Sequence, residues 1–153
     1  MPHALSDHRV VVDLCETFAR MVSEQGRELQ SIERPIVRDI FVANSNIEAE
    51  NRALNAYMTA YQAYAENCEL IDFKNRPKFP DACSLNNILK HHLIIGDADT
   101  VAEQLRGLAN DTQCTQIIAR MYLPGIEEQH AIESASLLTQ RVMPALEEAK
   151  DMS

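Results

Sequence analysis

The chain has 153 residues, 46% of them hydrophobic, and a formal net charge of -9. That length and apolar share describe one globular domain with its own core and exclude a disordered chain. The acidic balance, with Lys and Arg scattered, excludes an electrostatic footprint for nucleic acid, whose phosphates it would repel.

No apolar run approaches the roughly 20 residues that span a bilayer. The opening "MPHALSDHRVVVDL" lacks the basic flank and apolar centre of a signal peptide. A cytoplasmic protein with no membrane partner is therefore expected. Cys15, Cys68, Cys83 and Cys114 are widely spaced and form no C-x-x-C, which predicts reduced, mostly buried thiols.

In "SDHRVVVDLCETFARMVSEQG" the apolar residues Val10, Val11, Leu14, Cys15, Phe18, Met21 and Val22 recur at three- and four-residue spacing. That pattern predicts a one-sided helix, with Ser6 or Asp7 as its cap and Gly26 just past its end. The stretch Arg34 to Ala43, "RPIVRDIFVA", is β-branched and opens with a proline, as a strand does. Alternation sends Arg38, Ile40 and Val42 to one face and Val37, Asp39 and Phe41 to the other.

Ser45 and Glu48 form a capping box that starts a helix near Asn46. Leu54, Tyr57, Met58, Tyr61 and Tyr64 or Ala65 make its stripe. Three tyrosines on one face serve either as a stacking surface for a ring or, with greater weight, as core and rim packing. Residues 67–90 have no clean period. They hold Pro77 and Pro80 and concentrate base in Lys74, Arg76, Lys78 and Lys90, followed by His91 and His92. Long irregular segments of this kind serve as lids or linkers.

The apolar run Leu93 to Ile95 leads through Gly96 into a helix expected from about Ala98 to Ala109. Asp97 is its cap, and Asp99 sits in the first turn where the dipole favours acid. Thr115 to Tyr122, "TQIIARMY", reads as a second strand, with Ile118, Arg120 and Tyr122 on one face. "LPG" ends it, and a final helix follows with a kink at Pro144. The order is α/β alternation with a parallel sheet. Two strands alone make a poor parallel sheet, which predicts that the chain is part of something larger.

The segment "HHLIIGDADTVAEQLRGLANDTQCTQIIARMYLPGIEEQHAIESASLLTQRVMPALEEA" closely resembles the C-terminal end of bacterial-luciferase-like flavin-dependent monooxygenases. The family pattern is an apolar run, a glycine turn, a "VAEQL" helix, an apolar strand, a "PG" turn and a closing helix containing "VMPAL". "ERPIVRDIFVANSNIEAE" is similar to the preceding strand, written R-x-x-x-V-A. The likeness runs from about Val10 onward. It departs from the pattern at Ala98, where proline is common, and at Gln113-Cys114, where a glycine is common.

The resemblance implies a partial TIM barrel, with Ile36 to Ala43 as the seventh strand and Thr115 to Tyr122 as the eighth. Gly96 then turns the chain into an outer helix, a structural junction. Residues 44–95 become an insertion on the catalytic face, a lid that keeps water from the reacting flavin. Lys74, Arg76 and Lys78 would clamp an anionic substrate or the flavin phosphate, against a plain reading as solvated charges.

The implied cofactor is FMN, or a deazaflavin in related branches. The implied activity is oxygen insertion into a small organic substrate, with a flavin reductase as partner. A barrel needs about 250 residues, so residues 1–153 would form a single C-terminal barrel fragment. A homo-oligomer or a complementary barrel fragment is a possible partner for such a fragment. The alternative is a non-catalytic α/β interaction or dimerisation module.

Arg120, Tyr122 and Arg76 are the candidate cofactor-binding residues, and no catalytic residue is assigned. Arg38 and Arg120 inside a barrel must be paired, so each is expected to hold a core carboxylate or to approach the flavin. Glu127 and His130 have the E-x-x-H spacing of di-iron bundles, but no second copy exists and a solvated helix start is expected. His91 and His92 are adjacent and cannot chelate one metal together, although one could act as a base in the lid.

Overall fold

The computed structural model describes residues 6–66 and 89–151. Helix α1 spans His8–Glu24, and Asp7 is its cap, accepting from the Arg9 N–H at 2.9 Å. Gly26, at φ +67°, turns the chain away. Strand β1 (Pro35–Val42) follows, then α2 (Asn46–Ala49), a π-helical turn Glu50–Leu54 and α3 (Asn55–Glu66). Ser45 Oγ accepts from the Glu48 N–H at 3.2 Å, while the Glu48 carboxylate reaches back to the Asn44 N–H at 3.0 Å. This capping box is offset by one residue on its acidic side.

Strand β2 (Leu93–Gly96) leads into α4 (Ala98–Thr112), β3 (Gln116–Arg120), α5 (Glu128–Leu137) and α6 (Met143–Asp151). A π-helical turn, Leu138–Val142, joins α5 to α6 and absorbs the missing N–H of Pro144 without breaking the helix.

The sheet corrects the two-strand expectation. It has three strands in the order β2-β1-β3, all parallel. Leu93–Gly96 reads in the sequence as a run into a helix, yet it pairs with the C-terminal half of β1, from Asp39↔Leu93 to Val42↔Gly96. β3 pairs with the other edge, from Pro35↔Gln116 to Asp39↔Arg120. β3 also ends at Arg120, so Tyr122 lies beyond the strand.

Both sheet faces are covered, as parallel sheets require. On one face Phe41, Ala43 and Leu93 pack against Ala49, Ala53, Tyr57 and Tyr61 of the α2–α3 layer. On the other, Ile40, Val42 and Ile94 pack against Val101, Leu105 and Leu108 of α4 and against Val142. Each such Val, Leu, Ile or Phe side chain contributes about 1.5–3 kcal/mol by leaving water.

Gly96 is fixed by close approach. A Cβ there would lie 2.5 Å from Asn46 Oδ1, the atom that accepts the Asp97 N–H at 2.8 Å. The glycine therefore lets the start of α2 cross the start of α4.

Burial stops short on one flank. Val11 and Val22 of α1 are buried, but Leu14, Phe18 and Met21 on the adjoining flank are 51%, 42% and 58% exposed. Ile118 of β3 is 44% exposed, and no strand pairs with the outer edge of β3 among the described residues.

Candidate functional site

Strand alternation separates the two central charges of β1. Asp39 faces the α3 layer with no exposure, and Arg38 faces the opposite layer at 2%. A buried carboxylate needs donors, and three arrive from distant parts of the chain. Arg120 donates from Nε to Asp39 Oδ1 and from Nη2 to Oδ2, the latter at 2.7 Å, a bidentate pair across 81 residues. The Tyr61 hydroxyl donates to Oδ2 at 2.8 Å.

This ring of contacts sets the protonation states. The hydrogen bond to Asp39 pushes the Arg120 guanidinium pKa further up. Burial, and then the nearby Asp39 charge, pushes the Tyr61 phenol pKa up, so Tyr61 stays a neutral donor. Tyr57 donates to the Ile40 carbonyl at 3.3 Å, and burial likewise pushes its phenol pKa up. The Tyr61 ring meets His92 edge-on, with centroids 5.4 Å apart. The tyrosine stripe is core packing, with Tyr57 1% exposed and Tyr61 fully buried.

The candidate residues scatter. Arg120 holds a core carboxylate through Nε and Nη2. Tyr122 is 58% exposed. Arg76, with Lys74 and Lys78, lies outside the described residues. Arg38 is not paired with Asp39; its Nη1 donates to the Ser6 carbonyl at 3.0 Å. Glu127 and His130 sit 3.9 Å apart at the solvated start of α5. His92 is buried beside Asp7, with Nε2 3.7 Å from Oδ2.

Sequence reasoning missed Tyr61 as the partner of Asp39. The inward alternation of Asp39 was the only signal, and it names no partner. A second feature also escaped notice, a cavity of about 150 Å³ between α1, α4 and the approach to β2, lined by His8, Arg38, Lys90, His91, Gly107 and Asp111 among others.

A flavin needs more room than this. Cofactor pockets run to about 300–1,000 Å³, twice the cavity or more. This cavity therefore does not by itself hold FMN.

No family model matches the chain, and no curated protein matches it. Solved structures do. Monooxygenase RslO1 from Streptomyces bottropensis superimposes with a TM-score of 0.68 at 13% identity, over 95% of this chain and 40% of that one. The long-chain alkane monooxygenase LadA gives 0.60 at 13% identity, over 97% of this chain and 38% of that one. The oxygenating constituent of 3,6-diketocamphane monooxygenase, from the CAM plasmid of Pseudomonas putida and in complex with FMN, gives 0.55 at 14% identity. That match covers 91% of this chain and 40% of the other.

These neighbours are TIM-barrel, luciferase-like enzymes. At such identities the likeness is one of fold. The chain spans about two fifths of the length of each neighbour. Among the described residues no helix is long and apolar enough to cross a membrane.

Proposed function

We propose that the chain is the C-terminal portion of a luciferase-like flavin-dependent monooxygenase barrel. The observation that carries this reading is the superposition of 95% of the chain on RslO1 at a TM-score of 0.68. β1 and β3, hydrogen-bonded neighbours in parallel, are then the seventh and eighth staves, and residues 44–95 the insertion between the seventh strand and its helix. The Asp39–Arg120–Tyr61 network fixes their register from the inside. FMN, oxygen and a small organic substrate belong to the completed barrel, with Arg120, Tyr122 and Arg76 forming part of its wall. A flavin reductase supplies the reduced cofactor.

A second reading is favoured by a specific observation. The exposed flank of Leu14, Phe18 and Met21 suits a non-catalytic interaction or dimerisation module. One titration separates the two. The chain alone is expected to leave FMN fluorescence unquenched, and a polypeptide carrying the other six strands to restore quenching when mixed with it. Tight stoichiometric FMN binding by the chain alone would overturn the incomplete-barrel reading. A mixture that also leaves FMN untouched would leave the module reading in its place.

A further inference from the structure

We infer that the cavity bounded by α1, α4 and the approach to β2 binds a small tetrahedral oxyanion, of phosphate or sulfate size, opposite the Arg38 guanidinium. The site lies on the helix side of the sheet, away from the face that carries the Asp39–Arg120 pair. It therefore stands independently of the flavin reading.

Charge accounting leads to it. In a chain of net charge -9, the cavity lining sets two permanent cations, Arg38 and Lys90, and the imidazoles of His8, His91 and His92 against a single acid, Asp111. Each acid nearby already has a partner. Asp111 Oδ2 is 2.9 Å from His8 Nε2, Asp7 Oδ2 is 2.7 Å from Arg9 Nη2, and Asp39 holds Arg120. Arg38 is the exception. It is 98% buried, its Nη1 meets only a neutral carbonyl, and its Nη2 has no acceptor among the described residues.

Nη2 has almost no accessible surface, so solvent does not satisfy it, and an anion reaches it only once the lining side chains shift. A buried guanidinium in that state is costly, and an anion is the group that completes it. A 150 Å³ cavity holds a group the size of benzene, which admits one tetrahedral oxyanion and excludes a nucleotide. Lys90 is exposed at the rim. A side chain so exposed changes rotamer in picoseconds to nanoseconds and can turn its ammonium toward an anion in the cavity.

Thermal unfolding with inorganic phosphate, against chloride and acetate at matched ionic strength, tests the site. Saturation in the low millimolar range is expected, with Tm rising roughly 3–5 °C at tenfold excess over Kd. Chloride and acetate should give no saturable shift. Arg38→Met should abolish the response, and Lys90→Gln should weaken it severalfold.

Gly107→Glu guards against a misfolded Arg38 variant. A Cβ at Gly107 meets nothing within 4 Å, so the new carboxylate can occupy the cavity while the helix gains propensity. That variant should fold and lose the phosphate response. A phosphate shift no larger than that of chloride, or one that survives in Gly107→Glu, would overturn the assignment.

Discussion

Replacing Arg120 with methionine tests whether the Asp39 network is a coupled unit. The carboxylate has no solvent exposure and loses two of its three side-chain donors, keeping only Tyr61. Stranding a buried charge costs about 3–5 kcal/mol. Asp39→Leu is milder, because the freed Arg120 side chain is 26% exposed and can turn to water. It leaves the Tyr61 hydroxyl without its acceptor, a cost of about 1–3 kcal/mol.

The double variant, Asp39→Leu with Arg120→Met, removes both charges and retains only that hydroxyl penalty. It should fall near the Asp39→Leu value, so the two changes couple by about 3–5 kcal/mol, the whole cost of Arg120→Met. Equilibrium urea unfolding of the four proteins measures this, with the m-value checking that the transition stays two-state. Additive single effects, within about 0.5 kcal/mol, would refute the reasoning.

Gln113 sits at φ +50°, where an L-residue costs about 1–2 kcal/mol and glycine does not. Gln113→Gly should therefore stabilise the chain by about 0.5–1 kcal/mol after the added chain entropy, read as a higher urea midpoint. An unchanged or lower midpoint would contradict it. The Arg34 bonds to the Gln113 carbonyl survive the change, because they involve backbone.

Ser134→Ala removes the buried acceptor of the Val42 N–H, a 2.8 Å bond, and should cost about 1–3 kcal/mol. Faster amide exchange at Val42 is its signature, and unaltered protection would count against it.

Asp97 accepts the Thr100 N–H, which holds its carboxyl pKa below the usual range. A folded-state pKa below the unfolded value of about 3.9 means the contribution is present above that pH and is lost as pH falls through the folded pKa. Asp97→Ala should cost about 1 kcal/mol at pH 7, and the gap to the parent should close in acid. A gap independent of pH would be inconsistent with a charged cap.

Local chemistry made most element starts legible. Ser45 and Asp97 cap the helices they were expected to cap, and Asp7 was one of two residues named for α1. These signals act over three or four residues, which is why a sequence displays them. β2 stayed hidden because three apolar residues and a glycine carry no period that tells a buried strand from a helix lead-in. The Gln113 departure was visible as a missing glycine, and its left-handed backbone shows what that glycine would have supplied.

By itself the sequence determined the alternating α/β order, the inward and outward faces of β1 and the opposite orientation of Arg38 and Asp39. All of these follow from backbone periodicity and short-range hydrogen bonding. Only the tertiary structure decided which charge found a partner. Arg120 reaches Asp39 across 81 residues, while Arg38 is left facing a basic cavity. Pairing of that kind depends on register between strands and helices far apart in the chain, and no local pattern encodes it.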